Sequence, residues 1–198
     1  MAEQLPRVRE PLPLTFAVAR DRAVVRQGEA ASGLWIVESG ALLVTVVARD
    51  GRALALDVLG PGDAVGEPDE GVSPATVRAL RPCRLRSVPA PAQPGLLAAR
   101  ASRAAATALD LAWLDVPTRV GRRLDDLAAR FGRETPTGVR IALALTQDDL
   151  AALTGATRES VNRALRRMER ARRITIEGRG RYVVPAINLP DTVAAGRS

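Results

Sequence analysis

The sequence predicts an α+β chain: an N-terminal antiparallel β-roll, a long helix carrying a dimer seam, and a C-terminal winged helix-turn-helix. Three observations carry this. Between Arg22 and Val88 short apolar runs are punctuated by Gly, Asp and Pro; between Gly95 and Val116 an Ala-rich segment repeats apolar residues at alternating spacings of four and three; and between Thr146 and Arg181 two capped helical patterns precede two strand-like runs. The implied organisation is a roll over 1–93, a helix and hinge over 94–116, and a helix-turn-helix domain over 117–198.

The roll rests on the runs AVV, LWIV, ALLVTVVA, ALALDVL, DAVGE, ATVRAL and CRLRSV. Asp50-Gly51 is a strong hairpin turn, and Gly60-Pro61-Gly62-Asp63 marks another. Pro89, Pro91 and Pro94 end the strand region. The helix that follows places Leu97, Ala101, Ala104, Ala108 and Leu111 on a heptad seam. A helix lying across its own sheet would show a similar stripe, so the pattern alone leaves a dimer helix and an intrachain helix both open. Asp115 before Val116-Pro117 reads as an N-cap with proline in the first turn of a new helix, which puts a hinge at Asp115. That helix carries Val120, Leu124, Leu127 and Phe131 as its apolar stripe and ends near Gly132, after which GRETPTG reads as a turn-rich connection.

Thr146 can cap a helix whose third residue, Asp149, favours the positive N-terminus; Leu150 and Leu153 supply its buried side. Gly155 stands at the sharp inter-helical turn and Thr157 caps the second helix. In TRESVNRALRRM, at 157–168, Val161, Leu165 and Met168 share one sector while Arg158, Glu159, Asn162, Arg163 and Arg166 occupy another. Arginine pairs bidentately with guanine and Glu accepts from cytosine, so the polar sector is chemically suited to reading DNA bases. The runs around Gly178-Arg179-Gly180 form a wing hairpin that places Arg179 at its tip, toward phosphate.

Charge supports the same division. Of the 198 residues, 1–117 hold 13 Arg and 13 acids, whereas 118–198 hold 16 Arg and 9 acids, so the whole net charge of +7 lies in the second part. A basic part joined to a neutral one is suited to a polyanion, because each neutralised phosphate releases counterions. All 29 cations are Arg, which reflects composition bias as well as selection, but nine Arg against three Glu between Thr157 and Arg181 exceeds uniform bias. The chain has no His and one Cys, Cys83. This excludes an intramolecular disulfide, a cysteine-ligated zinc or iron–sulfur site within one chain, and a His general base or haem ligand. Cys83 itself reads as a buried strand residue. With no signal segment and no long apolar run, the expected compartment is the cytoplasm, with no membrane partner and no cofactor.

With these residues laid out, the chain resembles the Crp/Fnr family of bacterial transcription factors over nearly its whole length. LTQDDLAALTGATRESVNRALRRME at 145–169 is similar to that family's helix-turn-helix, including an R-E-x-x-x-R reading motif at Arg158, Glu159 and Arg163; LAWLDVPTRVGRRLDDLA at 111–128 is similar to its dimer-helix end, hinge and first DNA-domain helix. The resemblance implies guanine contacts by Arg158 and Arg163 and a cytosine contact by Glu159, with Asn162 on the same base-reading face. It also implies phosphate contacts from Thr146, Gln147, Thr157 and Ser160, and a palindromic double-stranded site with GTG-like halves about one helical turn apart, bound by a homodimer. RNA polymerase is the further expected partner.

RQGEAASGLWIVESGALLV at 26–44 and LGPGDAVGE at 59–67 resemble the family's cyclic-nucleotide-binding sensor. Gly66 and Glu67 stand where that sensor's phosphate cassette meets the ribose. However, Ser73-Pro74 occupies the place of its Arg-Ser pair, and Ala104 and Ala105 the place of hydroxyl side chains that meet adenine. The pocket is therefore expected to be degenerate, cyclic AMP not to be the effector, and any other effector to be unknown. Two other classes compete: a sequence-indifferent architectural DNA binder, and a cupin-like β-roll enzyme with an accessory nucleic-acid domain, the latter disfavoured by the absence of metal-binding His.

Overall fold

The computed structural model describes residues 14–88, 94–178 and 180–185. Chain contacts divide it into two units, Met1–Leu109 and Asp110–Ser198.

In the first unit, six antiparallel strands form the roll: β1 (Thr15–Val18), β2 (Ala23–Val25), β3 (Ala30–Val47), β4 (Ala53–Leu59), β5 (Ala64–Val72) and β6 (Thr76–Val88). The 18-residue β3 is its spine. Its first part pairs with β5, its second part with β4, and β6 runs along both. LWIV and ALLVTVVA, which read as separate strands, belong to this one strand. The Glu38-Ser39-Gly40 interruption is absorbed by register shifts between Val37 and Leu42, and such bulges bend a strand without ending it. ATVRAL and CRLRSV likewise fuse into β6 across Arg81-Pro82. β1 has no counterpart in the sequence reading. Trp35, Leu42, Leu59, Leu80 and Leu85 are the largest buried side chains of the roll, and Phe16 meets Trp35 with ring centroids 6.3 Å apart. Each fully buried side chain of this kind contributes about 1.5–3 kcal/mol.

Helix α1 spans Pro94–Trp113. Arg100, Arg103 and Thr107, spaced by three and four, lie on one face and contact the roll. The Ala seam does not: Ala101, Ala104 and Ala108 are exposed and Leu111 is half-buried, while the side chain of Leu97 lies outside the described residues. Packing within this chain therefore does not account for the heptad stripe.

In the second unit, Asp115 caps α2 (Val116–Phe131), its Oδ1 accepting from the N–H of Thr118 at 2.9 Å. The expected stripe of Val120, Leu124, Leu127 and Phe131 is buried. The junction between α1 and α2 is braced by arginine: Arg119 Nη1 donates to the carbonyls of Leu111 (3.3 Å) and Leu114 (3.0 Å), and Arg122 Nη1 to Asp110 (2.8 Å).

The segment read as a turn-rich connection is instead a hairpin, β7 (Gly132–Thr135) and β8 (Gly138–Ile141). Its strands are four residues long and bury one face only, through Val139 and Ile141, too little apolar pattern to outweigh its turn-forming residues. Then come α3 (Gln147–Thr154), α4 (Arg158–Arg170), β9 (Thr175–Ile176) and β10 (Tyr182–Val184). The second sheet runs β7-β8-β10-β9, so the wing strands extend the hairpin.

Gly66 in β5 has φ +103°, and a Cβ there would overlap the carbonyl oxygen of Gly33 in β3. Its place in the sequence is accounted for by strand packing. Gly66→Ala is expected to cost about 1–3 kcal/mol, measured as a thermal midpoint for the roll about 4–8 °C lower per kcal/mol. An unchanged midpoint would show that the close approach is dispensable.

Candidate nucleic-acid interface

The site is built from two capped helices. Thr146 Oγ1 accepts from the N–H of Asp149 at 3.0 Å, and Asp149 Oδ2 accepts from the N–H of Thr146 at 2.9 Å, a full capping box. Asp149 is buried beside Tyr182, whose phenol is pushed up by its own burial and then by the Asp149 charge. Gly155 closes α3 in the left-handed region (φ 55°, ψ 43°), where a side chain is strained. Two residues on, Thr157 Oγ1 accepts from the N–H of Ser160 at 3.2 Å and opens α4. Val161, Ala164, Leu165 and Met168 are buried, and α4 packs against both α2 and α3.

Packing that stripe leaves Arg158, Glu159, Arg163 and Arg166 exposed and Asn162 half-exposed. The two arginines are not free rotors. Arg158 Nε donates to Gln147 Oε1 at 3.3 Å, with Asp148 Oδ2 4.0 Å from its Nη1. Arg163 Nη2 donates to Ser160 Oγ at 3.4 Å, and Ser160 is in turn held by the Thr157 hydroxyl at 3.0 Å. Gln147 and Ser160, expected at phosphate, thus support arginines in the free protein.

The wing is tied down at three points. Glu177 N–H donates to Arg181 O at 2.9 Å; Gly180 O accepts from Leu145 N–H at 3.1 Å, next to the α3 cap; and Arg140 Nε and Nη2 grip the Glu177 carboxylate at 2.7 and 3.1 Å. Arg179 lies outside the described residues. Sequence reasoning missed the Arg140–Glu177 pair because it joins β8 to the residue after β9, 37 residues away. A cleft of about 500 Å³ elsewhere in this unit is lined by Asp115, Arg122, Asp125, Arg167 and Arg173 among others. Burial pushes the Asp125 carboxyl up, opposed by the charge of Arg173.

In the roll, two of the residues expected at a degenerate effector pocket, Gly66 and Ser73, are structurally engaged. Ser73 is buried: its hydroxyl donates to Ala75 O at 2.8 Å, its N–H to Glu29 O at 2.9 Å, and its carbonyl accepts from Gly28 N–H at 2.9 Å. Pro74 is exposed, and the Glu67 side chain lies outside the described residues. Cys83 is buried with Sγ 3.0 Å from Arg81 O and 3.4 Å from Ala41 O. Burial pushes its thiol up, opposite to what a thiolate ligand needs. The described residues hold no cluster of three potential metal ligands and no helix long and apolar enough to cross a membrane.

Residues 16–100 match the cyclic nucleotide-binding domain and residues 118–188 the Crp-like helix-turn-helix domain. A CRP-like cAMP-activated global transcriptional regulator of Mycobacterium tuberculosis is 36% identical over 178 residues, covering 81% of this chain and 79% of the relative. The chain belongs to the Crp/Fnr family of transcription regulators. The cAMP-activated global regulator CRP of Escherichia coli is 29% identical over 175 residues, covering 79% of this chain and 82% of that one. Among solved structures, a CRP-family regulator of Thermus thermophilus superposes with a TM-score of 0.75 at 22% identity, covering 91% of this chain and 97% of the other. The c-di-GMP-responsive regulator CLP of Xanthomonas campestris gives 0.72 at 25% identity, covering 88% and 94%. The chain is accordingly a DNA-binding regulator, and its relatives are regulators, not enzymes.

The Arg140 hydrogen bonds, and after them its charge, hold the Glu177 carboxyl below its usual value of 4.5. A lowered folded value means that the pair's contribution is present above the ordinary Glu range and is lost as pH falls through the folded value. The Glu177 side-chain carbon resonance is expected to titrate with a midpoint below 4.5. Arg140→Gln should move that midpoint upward; a midpoint indifferent to this change would remove the wing tie.

Proposed function

We propose that the chain acts as a homodimer on a palindromic operator with GTG-like half-sites, without cyclic AMP. The observation that carries the reading is the exposed face of α4, where Arg158, Glu159 and Arg163 stand clear on a helix docked by its opposite side. Arg158 and Arg163 pair with guanine and Glu159 with cytosine, with Asn162 beside them at the bases; Thr146, Gln147, Thr157, Ser160 and Arg179 serve phosphates. Ser160 and Gln147 then have a double task, supporting an arginine before binding and meeting the backbone afterwards.

Dimerisation is supported by the exposed seam of Ala101, Ala104 and Ala108, and by Leu109 and Trp113, which are 61% and 81% exposed. Large apolar side chains so exposed on an Ala-faced helix favour a second copy as cover. Asp115 is the hinge between that helix and the DNA-binding domain, and RNA polymerase is the partner through which binding becomes regulation. The Mycobacterium tuberculosis and Escherichia coli relatives are cAMP-activated. This chain departs from them in physical terms at Ser73-Pro74: a cyclic phosphate needs a cation and free donors, whereas Ser73 commits its hydroxyl to Ala75.

At fixed salt, the native protein is expected to bind the full palindrome more tightly than a single half-site or a scrambled duplex. Equal binding to all three would favour sequence-indifferent attachment. Arg163→Ala should cost about 1–3 kcal/mol on the palindrome and relax specificity at one base pair; uniform weakening on every duplex would instead mark a phosphate contact. Titration calorimetry with cyclic AMP is expected to give no saturable heat at micromolar concentration, and a clear isotherm would sink the effector-free reading.

A further inference from the structure

The cleft in the second unit plays no part in the DNA reading. It lies wholly within that unit, between the N-terminal half of α2 and the end of α4. Its volume of about 500 Å³ is in the range of small-molecule sites. Two backbone choices shape it. Gly121 is buried in α2 and faces Met168 and Arg173: a Cβ there would meet Met168 Cε at 3.6 Å and Arg173 Nη2 at 3.9 Å, both ordinary contact distances. Packing therefore does not demand glycine, a poorer helix former than alanine, and the missing methyl leaves space in the cleft. At the other wall α4 ends in a left-handed turn at Arg172 (φ 55°), a position more usual for glycine. Arg172 N–H donates to Glu169 O and Arg173 N–H to Met168 O, each at 2.9 Å. The chain is thereby folded back so that Arg173 lies beside α2.

The charged groups of the cleft divide into committed and uncommitted ones. Asp115 accepts from Thr118 N–H as the α2 cap, and Arg122 donates to Asp110. Among the described residues, the side chains of Arg167, Arg173 and Asp125 make no hydrogen bond and no ion pair. Both arginines are exposed, and Arg167 stands about 100° round the helix from Arg166, to the side of the base-reading sector. Asp125 is half-buried, and its burial pushes the carboxyl up against the opposing charge of Arg173. Two uncommitted guanidinium forks suit the oxygens and the double charge of a phosphate monoester. An oxyanion alone would bring a like charge to Asp125 with nothing to donate to it. A ligand that carries hydroxyls beside its phosphate answers both needs, since a hydroxyl donates to the carboxylate that the phosphate would otherwise repel.

We propose that the cleft between α2 and α4 binds a small polyol phosphate, with Arg167 and Arg173 on its phosphate and Asp125 accepting from a hydroxyl. Every group involved belongs to the second unit, so the site needs nothing from the roll. It also stands independently of the operator reading above, because none of the three residues is assigned to a base or a phosphate of DNA there. Occupancy would tie the start of α2 to the end of α4.

Glycerol phosphate titrated into the full chain tests this, with backbone amide resonances as the readout. The amides of Thr118, Gly121, Arg122 and Arg173 are expected to shift saturably at millimolar ligand or below, while those of Arg158, Glu159 and Arg163 stay in place. Arg173→Met and Arg167→Met, both at exposed positions, should each weaken binding at least ten-fold, because each removes a charged donor. Asp125→Asn should weaken binding of glycerol phosphate but not of inorganic phosphate, which has no carbon-borne hydroxyl to lose. Gly121→Leu puts a side chain into the cleft and should abolish binding; should it fail to fold, the two arginine variants decide the matter. Absence of any saturable shift with glycerol phosphate would overturn the site. Shifts centred on Arg158 and Arg163 would overturn it too, since the phosphate would then be meeting the base-reading face. Equal affinity for glycerol phosphate and inorganic phosphate, unchanged by Asp125→Asn, would overturn the polyol part of the assignment.

Discussion

Everything the DNA-binding unit presents depends on the turn at Gly155. Its left-handed backbone lets the chain leave α3 and enter α4 across three residues, with Ala156 N–H donating back to Ala151 O at 3.0 Å. For an ordinary residue that conformation costs about 1–2 kcal/mol. Once the turn is made, the buried stripe Val161, Ala164, Leu165 and Met168 can seat on α2 and α3. The opposite face is then determined by helix geometry alone: no contact is needed to expose Arg158 and Arg163, only the burial of what lies behind them. The two threonine caps serve the same end, because they satisfy N–H groups that would otherwise compete for the side chains around them.

Satisfied caps also free the neighbouring polar groups for a second layer. Thr157 accepts from Ser160 N–H and donates to Ser160 Oγ, which leaves that oxygen able to receive Arg163. Gln147, in the first turn of α3, reaches across to Arg158. Long arginines lose rotamer entropy on binding, and a weak hydrogen bond in the free state removes part of that loss in advance. The wing belongs to the same frame. Leu145, just before the α3 cap, gives its N–H to the carbonyl of Gly180, so the wing is pinned at Gly180 to the residues that start the helix-turn-helix.

Legibility followed the range of the signal. The helix caps at Thr146, Thr157 and Asp115, the left-handed Gly155 and the stripe of α2 are local, and each stands where its spacing predicts. Long strands were legible only in pieces. Glu38-Ser39-Gly40 and Arg81-Pro82 have the composition of turns, and only cross-strand pairing shows that β3 and β6 continue through them. β1 escaped because of TFAV only Val18 is buried. The α1 seam was readable as a stripe but not as an outward one, since which face meets the roll is decided by Arg100, Arg103 and Thr107. The one local hint of that choice was Asp57, a carboxylate in an otherwise apolar strand, whose partner lies 46 residues away.

The two units also divide the electrostatic work. In the roll, arginines meet carboxylates nearby: Arg52 with Asp50, Arg78 with Asp21, Arg86 with Glu38, and Arg103 with Asp57 and Asp63. The first three are exposed pairs that add little stability, whereas Asp57 is buried, but all of them cancel charge locally and leave the roll close to neutral. On α4 the pattern reverses, with Arg163, Arg166, Arg167 and Arg170 exposed on one short helix. Positive charge concentrated there is felt by a polyanion over about a Debye length, roughly 8–10 Å at ordinary salt. Such a field draws DNA toward α4, the helix proposed to read it, while a neutral roll does not compete for the same phosphates. In the proposed operator reading, specificity falls to the few groups at base height, where the exposed Glu159 is as necessary as the arginines. Amid so much positive charge, an acid is the group that penalises a phosphate or a wrong base in place of cytosine.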